Sequence, residues 1–242
     1  MISKILEKRI KSLYTKKGRL KNNNFIIEGK RSLLTAIHNN VKIKNIVLSK
    51  SFIEKNKDLA LYNKYKISVV ADKCFNQLSQ VDSPSGILAE AEMPAYSKIS
   101  PDFPLVYLDQ ISDPGNLGTI VRTCDWFGVK QIGISPNSVE FYNPKVVRSS
   151  MGSHFNMKYL GTPSSEDLNK FSLIGADFDK GKNINDISPP KNWALIMGSE
   201  ASGISRNMNK RISSYVKIEK LGKGESLNIG VAMGIVLHKF KN

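Results

Sequence analysis

The chain has 242 residues, of which 40% are hydrophobic, enough for a buried core in one large domain or two smaller ones. Its formal charge of +15, from 36 basic and 21 acidic residues, favours a polyanionic partner. The two cysteines and three scattered histidines fit neither a disulfide framework nor a metal site. No stretch approaches the roughly 18 apolar residues of a membrane helix, and no apolar signal segment follows Met1. We therefore expect a reduced, cytoplasmic, metal-free protein.

A basic arm opens the chain. Its first 24 residues hold eight lysines and arginines and a single acid, Glu7, and the apolar spacing predicts a helix over residues 2–13. Such an arm is suited to contacts with a phosphate backbone, which supply affinity without reading sequence. A solvated, partly disordered N-terminus is the alternative.

Strands and helices alternate after the arm. The pattern predicts strands in FIIE, NIVLS, ISVV and GILAEA, and helices from about Gly29, over residues 52–65 and over residues 72–80. This alternation predicts an α/β unit of about 90 residues with a mostly parallel sheet. Three prolines fall in residues 94–104, a linker composition that separates predicted domains at 1–95 and 104–242.

The second predicted domain begins with the strand PLVYLD. Asp113-Pro114-Gly115 is a turn signal, Asn116 is a good N-cap residue, and helical spacing continues to a C-terminal cap at Gly128. Further strands are predicted in QIGIS, SLIGAD, WALIM and YVKI, with a helix around NPKVVRSSMG, an exposed polar loop over 177–192 and a long C-terminal helix.

Three strand-to-helix junctions in this domain carry polar residues and glycines. They pair Asn116 with Arg122, Gly198 with Glu200, and Ser226 with Asn228. In an α/β sheet, ligands usually bind at such junctions. Alternatively, Ser226 or Asn228 only caps the final helix, and Glu200 only lies on the surface.

Common cofactor and nucleophile motifs are missing from the sequence. It has no GxGxxG, GxxxxGK[ST] or GxSxG pattern, and no histidine adjoins Ser226 or Cys124. The pattern around Cys124 is more typical of a small buried side chain than of a nucleophile. Dinucleotide binding, P-loop chemistry and covalent catalysis are therefore not indicated.

Together, the three junctions resemble the motifs of the SpoU (TrmH-like) family of RNA ribose 2′-O-methyltransferases, in the SPOUT superfamily. DPGNLGTIVRTCDWFGV is similar to the first motif, IMGSEASGIS to the second and IEKLGKGESLNIGVA to the third, in matching order and spacing. The motif positions are Asn116, Gly118, Arg122, Gly198, Glu200, Gly203, Gly222, Ser226, Leu227, Asn228 and Val231. The resemblance covers about residues 104–242, and residues 19–31 are similar to the substrate-binding domain that often precedes this catalytic domain.

This resemblance implies a fold and a function. The fold is α/β, with a C-terminal trefoil-knotted SPOUT methyltransferase domain preceded by a smaller α/β RNA-binding domain. The function is 2′-O-methylation of RNA by a homodimer that uses S-adenosylmethionine, with ribosomal RNA favoured over tRNA as the substrate. The alternatives are a non-catalytic RNA-binding or ribosome-assembly protein on the same scaffold, and an α/β enzyme acting on a small metabolite.

The resemblance also implies residue roles. Arg122 activates the ribose hydroxyl, while Asn116, Ser226 and Asn228 orient the ribose and Glu200 orients Arg122 or the substrate. Backbone groups of Gly198, Ile218 and Leu227 bind S-adenosylmethionine, and the RNA-binding residues are Arg19, Lys21, Lys30 and Arg31.

The sequence departs from the family's pattern at three places. Glu219-Lys220 follows Ile218 where the family commonly has Pro-Met, and loss of this proline could loosen a loop around the cofactor. Cys124 stands where alanine is usual, and Gly230 where serine is common.

Overall fold

The computed structural model describes residues 2–56 and 58–241; Met1, Lys57 and Asn242, which fall inside the predicted domains, lie outside the described residues. The helices are α1 Lys4–Ser12, α2 Lys16–Asn22, α3 Lys30–His38, α4 Lys50–Lys55, α5 Asp72–Leu78, α6 Pro114–Trp126, α7 Pro144–Ser149, α8 Ser165–Leu168, α9 Arg206–Asn209 and α10 Ile229–Lys241. The strands are β1 Asn24–Glu28, β2 Ile43–Ser49, β3 Ile67–Val70, β4 Ile87–Glu92, β5 Leu105–Leu108, β6 Gln131–Ile134, β7 Lys158–Tyr159, β8 Ser172–Ala176, β9 Lys182–Asn183, β10 Trp193–Met197 and β11 Ser214–Lys217. Short 3₁₀ turns occupy Ala60–Tyr62, Ser153–Asn156 and Ile184–Asp186.

The described residues pack into two units. The first contains the residues up to Ala95 together with Tyr142–Phe155, and the second contains Tyr96–Phe141 and the residues from Asn156 onward. Residues 142–155, which the sequence analysis placed in the second domain, pack instead with the first unit. Val147 of α7 is fully buried in the apolar core of that unit.

The sheet of the first unit has the strand order β1-β4-β2-β3. Strand β4 is antiparallel to both β1 and β2, and among the described strands of this sheet β2 and β3 form the one parallel pair. The predicted mostly parallel sheet is therefore wrong for this unit. The loop 79–86 lies at the edge of the sheet where β2 and β3 end. Strand β4 therefore starts at that edge and runs in the direction opposite to β2. Alternation of strands and helices does not determine strand order or direction.

The predicted helix over residues 52–65 is also wrong. Helix α4 ends at Lys55, and Asn56 takes an extended conformation with φ −126° and ψ 94°. The Asn56 side chain donates a hydrogen bond back to the carbonyl of Phe52 at 2.8 Å. This local bond competes with continuation of the helix. Beyond it, the described residues of the predicted helix form a short 3₁₀ turn at Ala60–Tyr62.

The basic arm is folded rather than disordered. Helices α1 and α2 begin at the N-caps Ser3 and Thr15, whose hydroxyls accept hydrogen bonds from the backbone N–H groups of Leu6 and Gly18. Leu6, Ile10 and Leu13 pack in an apolar cluster against the sheet, so burial of one helix face holds the arm in place.

A buried carboxylate joins the arm to the sheet. Glu90 of β4 is 1% exposed and accepts hydrogen bonds at 2.6 Å from the side-chain amides of Asn24 and Asn45. It also pairs with the guanidinium of Arg9 on α1, with Nε at 2.8 Å from Oε1. A buried charge needs such a set of donors, because otherwise it loses its hydration without compensation.

The sheet of the second unit has the strand order β7-β6-β5-β10-β8-β11-β9, and all of its pairs are parallel. Strands β5, β6 and β10 are buried along their whole length, as expected for a parallel sheet covered on both faces. Because the strands are parallel, their carboxyl ends meet at one edge. The loops after β5, β10 and β11, which carry the three sequence motifs, all start from this edge.

Candidate active site

The first motif loop ends in the N-terminus of α6. The N-cap is Asp113, whose carboxylate accepts a hydrogen bond from the backbone N–H of Asn116 at 2.7 Å, and Pro114 begins the helix. The prediction of Asn116 as the N-cap is therefore wrong, because Asp113 already fills that position and proline at the first helical position needs no N–H partner. The Asn116 side chain is consequently not used in capping.

A hydrogen-bond network joins the three motif loops. The Asn228 side-chain amide donates to Oδ1 of Asn116 and to Oε1 of Glu200, each at 3.0 Å. Its own Oδ1 accepts from the backbone N–H of Gly230 at 2.9 Å, and Glu200 accepts from the N–H of Ile229 at 3.1 Å. Asn228 thus caps α10 and holds the three loops together, so capping and a role in the site coexist.

The network leaves specific polar atoms unused. A carboxylate only accepts hydrogen bonds, so contact with Glu200 fixes the orientation of the Asn228 amide, which in turn fixes that of Asn116. Within the described residues, Nδ2 of Asn116 and Oε2 of Glu200 have no hydrogen-bond partner. The site therefore offers one unused donor and one unused acceptor, on two residues that both bond to the Asn228 amide, and such a pair is suited to binding a hydroxyl group.

Gly198 allows the second motif loop to fold tightly on itself. Ser199 and Gly203 exchange backbone hydrogen bonds at 3.0 and 2.9 Å. A Cβ at Gly198 would lie 2.1 Å from the carbonyl carbon of Gly203, and Gly203 itself has φ +64°. Glycine is required at both positions. At Gly198 a side chain would clash with the backbone of Gly203, and at Gly203 the left-handed φ favours glycine.

The loop between β11 and α10 is open. Residues 220–227 make no hydrogen bond to any other described residue, and the predicted site residues Ser226 and Leu227 are exposed. Ile218 is partly buried. Before the open segment, Glu219 accepts a hydrogen bond from Nδ2 of Asn183 at 3.2 Å. The predicted loop 177–192 is thus partly structured, since its strand β9 pairs with β11 beside this contact.

Arg122 stands apart from the network. Its side chain is exposed and has no hydrogen bond or ion pair within the described residues. Arg122 follows Asn116 by six residues, which places the two about 120° apart around α6 and about 9 Å along it. Glu200 bonds to Asn228 and Ile229 within the chain. An orienting contact from Glu200 to Arg122 is therefore not made here.

Asp109, which follows β5 directly, is not among the site residues predicted from the sequence. It is 3% exposed, its N–H donates to the carbonyl of Met197 at 2.8 Å, and its carboxylate accepts from the N–H of Ser205 at 2.7 Å. Asp109 thus ties the first motif loop to the second. An acid directly after an apolar strand was the available signal, but a surface position would give the same pattern.

The four residues predicted to bind RNA lie in the first unit. Lys21, Lys30 and Arg31 are exposed. Arg19 is only 1% exposed, and its Nη1 donates to the carbonyl of Leu13 at 2.9 Å. Its guanidinium therefore stabilises the turn between α1 and α2 and is not accessible to a phosphate.

The described part of the chain shows neither a cluster of metal ligands nor a membrane-spanning helix. It contains no group of three or more histidine, cysteine or acidic residues placed to hold a metal ion. It also contains no helix of the length and apolarity that a membrane crossing requires.

Gly230 lies where α10 packs on α6. A Cβ there would meet Cγ2 of Thr119 at 2.7 Å. We expect Gly230→Ser to lower the free energy of unfolding by about 1–3 kcal/mol, because a packed contact must move apart. The change should be smaller when Thr119 is also replaced by glycine. Urea unfolding of the two single variants and the double variant measures this coupling, and additive losses would contradict the contact.

The two cysteines should differ sharply in reactivity. Cys74 is exposed, whereas Cys124 is fully buried in α6 and burial raises the pKa of its thiol. Because only the thiolate reacts, we expect iodoacetamide to label one cysteine in the native protein and both in urea, with peptide mass spectrometry as the readout. Native labelling of Cys124 would contradict its placement.

Comparison with known proteins places these features in context. The model of the SpoU rRNA Methylase family matches residues 104–238, and the model of the MRM3-like substrate binding domain matches residues 6–89. The 23S rRNA (guanosine(2553)-2′-O)-methyltransferase RlmP of Bacillus subtilis is 28% identical over 236 residues, covering 96% of this chain and 94% of the relative.

Two solved structures match almost the whole chain. A TrmH-family protein from Porphyromonas gingivalis has a TM-score of 0.86 at 25% identity, covering 99% of this chain and 98% of its own. An AdoMet-bound rRNA methyltransferase from Sinorhizobium meliloti has a TM-score of 0.85 at 25% identity, covering 99% and 95%.

Proposed function

The chain belongs to the SpoU rRNA Methylase family, and from this membership we propose that it is an S-adenosylmethionine-dependent methyltransferase acting on a ribose 2′-hydroxyl of ribosomal RNA. The observation that carries the proposal is the hydrogen-bond network of Asn116, Glu200 and Asn228, which joins the three family motifs at one edge of a parallel sheet. The full-length match to a 23S rRNA methyltransferase favours large-subunit ribosomal RNA over tRNA.

The residues at this edge fit S-adenosylmethionine. The backbone groups of residues 220–227 are not used within the described chain, so they are free to bind the adenosine and amino-acid parts. The proposed contacts are backbone groups of Gly198, Ile218 and Leu227. The tight turn at Gly198 leaves no room for a side chain, which supports a backbone contact at this position. When bound, S-adenosylmethionine supplies an electrophilic methyl group.

The chain itself must position and activate the ribose hydroxyl. Nδ2 of Asn116 and Oε2 of Glu200 are proposed to hold the ribose, and the hydroxyl of Ser226, which is exposed, is proposed as a further contact. Arginine stays protonated in proteins, so Arg122 acts by charge. It binds the phosphate next to the ribose and stabilises the alkoxide that develops as the hydroxyl proton passes to solvent water. Holding the hydroxyl in line with the methyl group removes much of the entropic cost.

A homodimer is part of the proposal. Trp126 of α6 is 86% exposed, and Val231 and Ile235 of α10 are 53% and 38% exposed. These apolar side chains lie on two helices that pack together, and such a face is typical of a surface covered by a second copy. Arg122 lies four residues before Trp126 on α6, so it shares this face. It would then act in the site of the partner subunit.

The proposal also includes a trefoil knot in the second unit and a cytoplasmic location. The knot is proposed from family membership. The knot is compatible with the path of the chain, which runs from β11, between β8 and β9, back to α10 beside α6.

A transfer assay tests the function. Purified protein is incubated with transcribed ribosomal RNA and S-adenosylmethionine labelled in its methyl group, and the digested RNA is analysed by mass spectrometry. We expect the label in a nucleoside methylated on its ribose. Label on a base, or no transfer to RNA that the protein binds, would contradict the proposal and favour a non-catalytic RNA-binding scaffold.

A further inference from the structure

The first unit contains a cleft that the sequence motifs do not explain. It lies at the sheet edge where β1 and β2 end and β4 begins, since Gly29 N–H donates to the carbonyl of Ile87 and Ser49 N–H to that of Gly86. Its volume is about 400 Å³. Polar side chains from three helices line it, among them Lys30, Ser51, Lys55, Asn56 and Asp72.

The floor of the cleft is firmly packed. Phe52 and Phe75 are 5% and 1% exposed, and the Ser49 hydroxyl accepts from the N–H of Phe52 at 3.1 Å. Gly86 has φ +81°, and a Cβ there would lie 2.7 Å from Oγ of Ser49 and 2.9 Å from Cβ of Phe52. The floor therefore has a fixed shape, and a ligand would meet a preformed surface.

One end of the cleft is cationic. The Lys30 ammonium donates to the neutral side chain of Asn56 at 2.6 Å, and Lys55 precedes Asn56 in the chain. Neither lysine has a carboxylate partner within the described residues. By contrast, Lys11 and Lys42 of the same unit pair with glutamates. Two positive charges without a counterion fit a phosphodiester group.

The other end of the cleft accepts hydrogen bonds. Oδ1 of Asp72 accepts from the hydroxyl of Ser51 at 2.5 Å and from its N–H at 3.2 Å, and these bonds lower the pKa of Asp72. Oδ2 of this carboxylate keeps acceptor capacity. Ser51 and Lys55 are four residues apart on α4, about 6 Å along its axis. A carboxylate that lines the same cleft as the lysines would accept a hydrogen bond from a hydroxyl group and repel a second phosphate.

We infer that this cleft binds one ribonucleotide of the substrate RNA, with its phosphate at Lys30 and Lys55 and its 2′-hydroxyl at Asp72. The inference rests on the proposed action on RNA and adds a subsite that selects ribose. The 2′-hydroxyl is the group by which a protein distinguishes RNA from DNA. Surface lysines alone would bind both nucleic acids through their phosphates.

Binding of a short single-stranded RNA and of the DNA of the same sequence tests the cleft, using the full-length protein and fluorescence anisotropy. We expect Asp72→Asn to reduce the preference for RNA about tenfold, because a hydrogen bond to a charged group is lost. The double variant Lys30→Ala/Lys55→Ala should weaken binding of both strands about tenfold or more and lower the salt slope by about 1.

Lys64→Ala/Lys66→Ala provides a control of equal charge. Both lysines are exposed, and they precede β3, at the sheet edge opposite the cleft. We expect this variant to keep the wild-type salt slope and RNA preference. Equal weakening by the two lysine pairs, or equal effects of Asp72→Asn on RNA and DNA, would overturn the inference. Thermal unfolding of each variant establishes that it is folded.

Failure of the subsite and failure of the proposed function are distinguishable. A wild-type protein that methylates ribosomal RNA, with variants that bind RNA and DNA as wild type does, overturns the subsite alone. A protein that transfers no methyl group but loses its RNA preference through Asp72→Asn overturns the methyltransferase function and supports the subsite.

Discussion

Replacing Arg122 with alanine is expected to lower the rate of methyl transfer by about 10³-fold, because the ribose hydroxyl loses the charge that stabilises its alkoxide. The Kd for S-adenosylmethionine should stay near the wild-type value, because Arg122 lies outside the loops proposed to bind it. Single-turnover transfer and calorimetry measure the two quantities separately. Lys191→Ala, which removes an exposed charge elsewhere in the second unit, serves as the control. Near-normal turnover by Arg122→Ala would remove this residue from the mechanism.

Mixing two inactive variants tests whether Arg122 acts across the dimer. Arg122→Ala and Asn228→Ala each damage a different part of the site. In a mixed dimer, one site receives Arg122 from one subunit and Asn228 from the other. We expect the mixture to recover about a quarter of wild-type activity, since half of the dimers are mixed and each has one complete site. Mixed dimers isolated with two affinity tags but lacking activity would place Arg122 in its own subunit's site.

The largest effect on stability is expected at Glu90. Glu90→Ala leaves the side-chain amides of Asn24 and Asn45 buried without their acceptor, beside the Arg9 guanidinium. Removing one partner from such a buried network costs about 3–5 kcal/mol. Glu90→Gln should also destabilise this unit. The NH₂ group of the glutamine side chain is a donor, and it would face the donors that now bond to Glu90. Hydrogen exchange of β1 and β2 amides reports the stability of this unit directly.

A surface pair provides the matched control for Glu90. Glu7 pairs with Lys11 one turn along α1, with both side chains partly exposed. Glu7→Ala should change the free energy of unfolding by no more than about 0.5 kcal/mol. Similar losses for Glu7→Ala and Glu90→Ala would show that the buried network contributes little.

The sequence predicted the elements of the second unit better than those of the first. Periodicity predicted α6 and its end near Gly128, which has the left-handed φ of +69° that a glycine at this position allows. Strand order was not predictable, because it depends on which strands meet after collapse. The position of β4 between β1 and β2 illustrates this. The burial of Glu90 was not predictable for the same reason. The sequence ILAEAE is equally consistent with a strand whose glutamates are exposed to water.

The site itself was predictable only through the family resemblance, which the matching family model confirms. Asn116 and Asn228 are 112 residues apart in the chain and form a direct hydrogen bond. No local pattern predicts such a contact, because parallel strands bring their carboxyl ends together only after the sheet has formed. The resemblance named both residues. It did not predict that Asn228 would be fully engaged while Nδ2 of Asn116 and Oε2 of Glu200 stay available.

Mapping of ribose methylation in total RNA tests the central claim most directly. Ribosomal RNA is compared from cells with the protein, without it, and with the Arg122→Ala variant in its place. The proposed function predicts one 2′-O-methyl group in ribosomal RNA that disappears without the protein and returns with the wild type but not with the variant. Unchanged ribose methylation in all three RNA samples would contradict it.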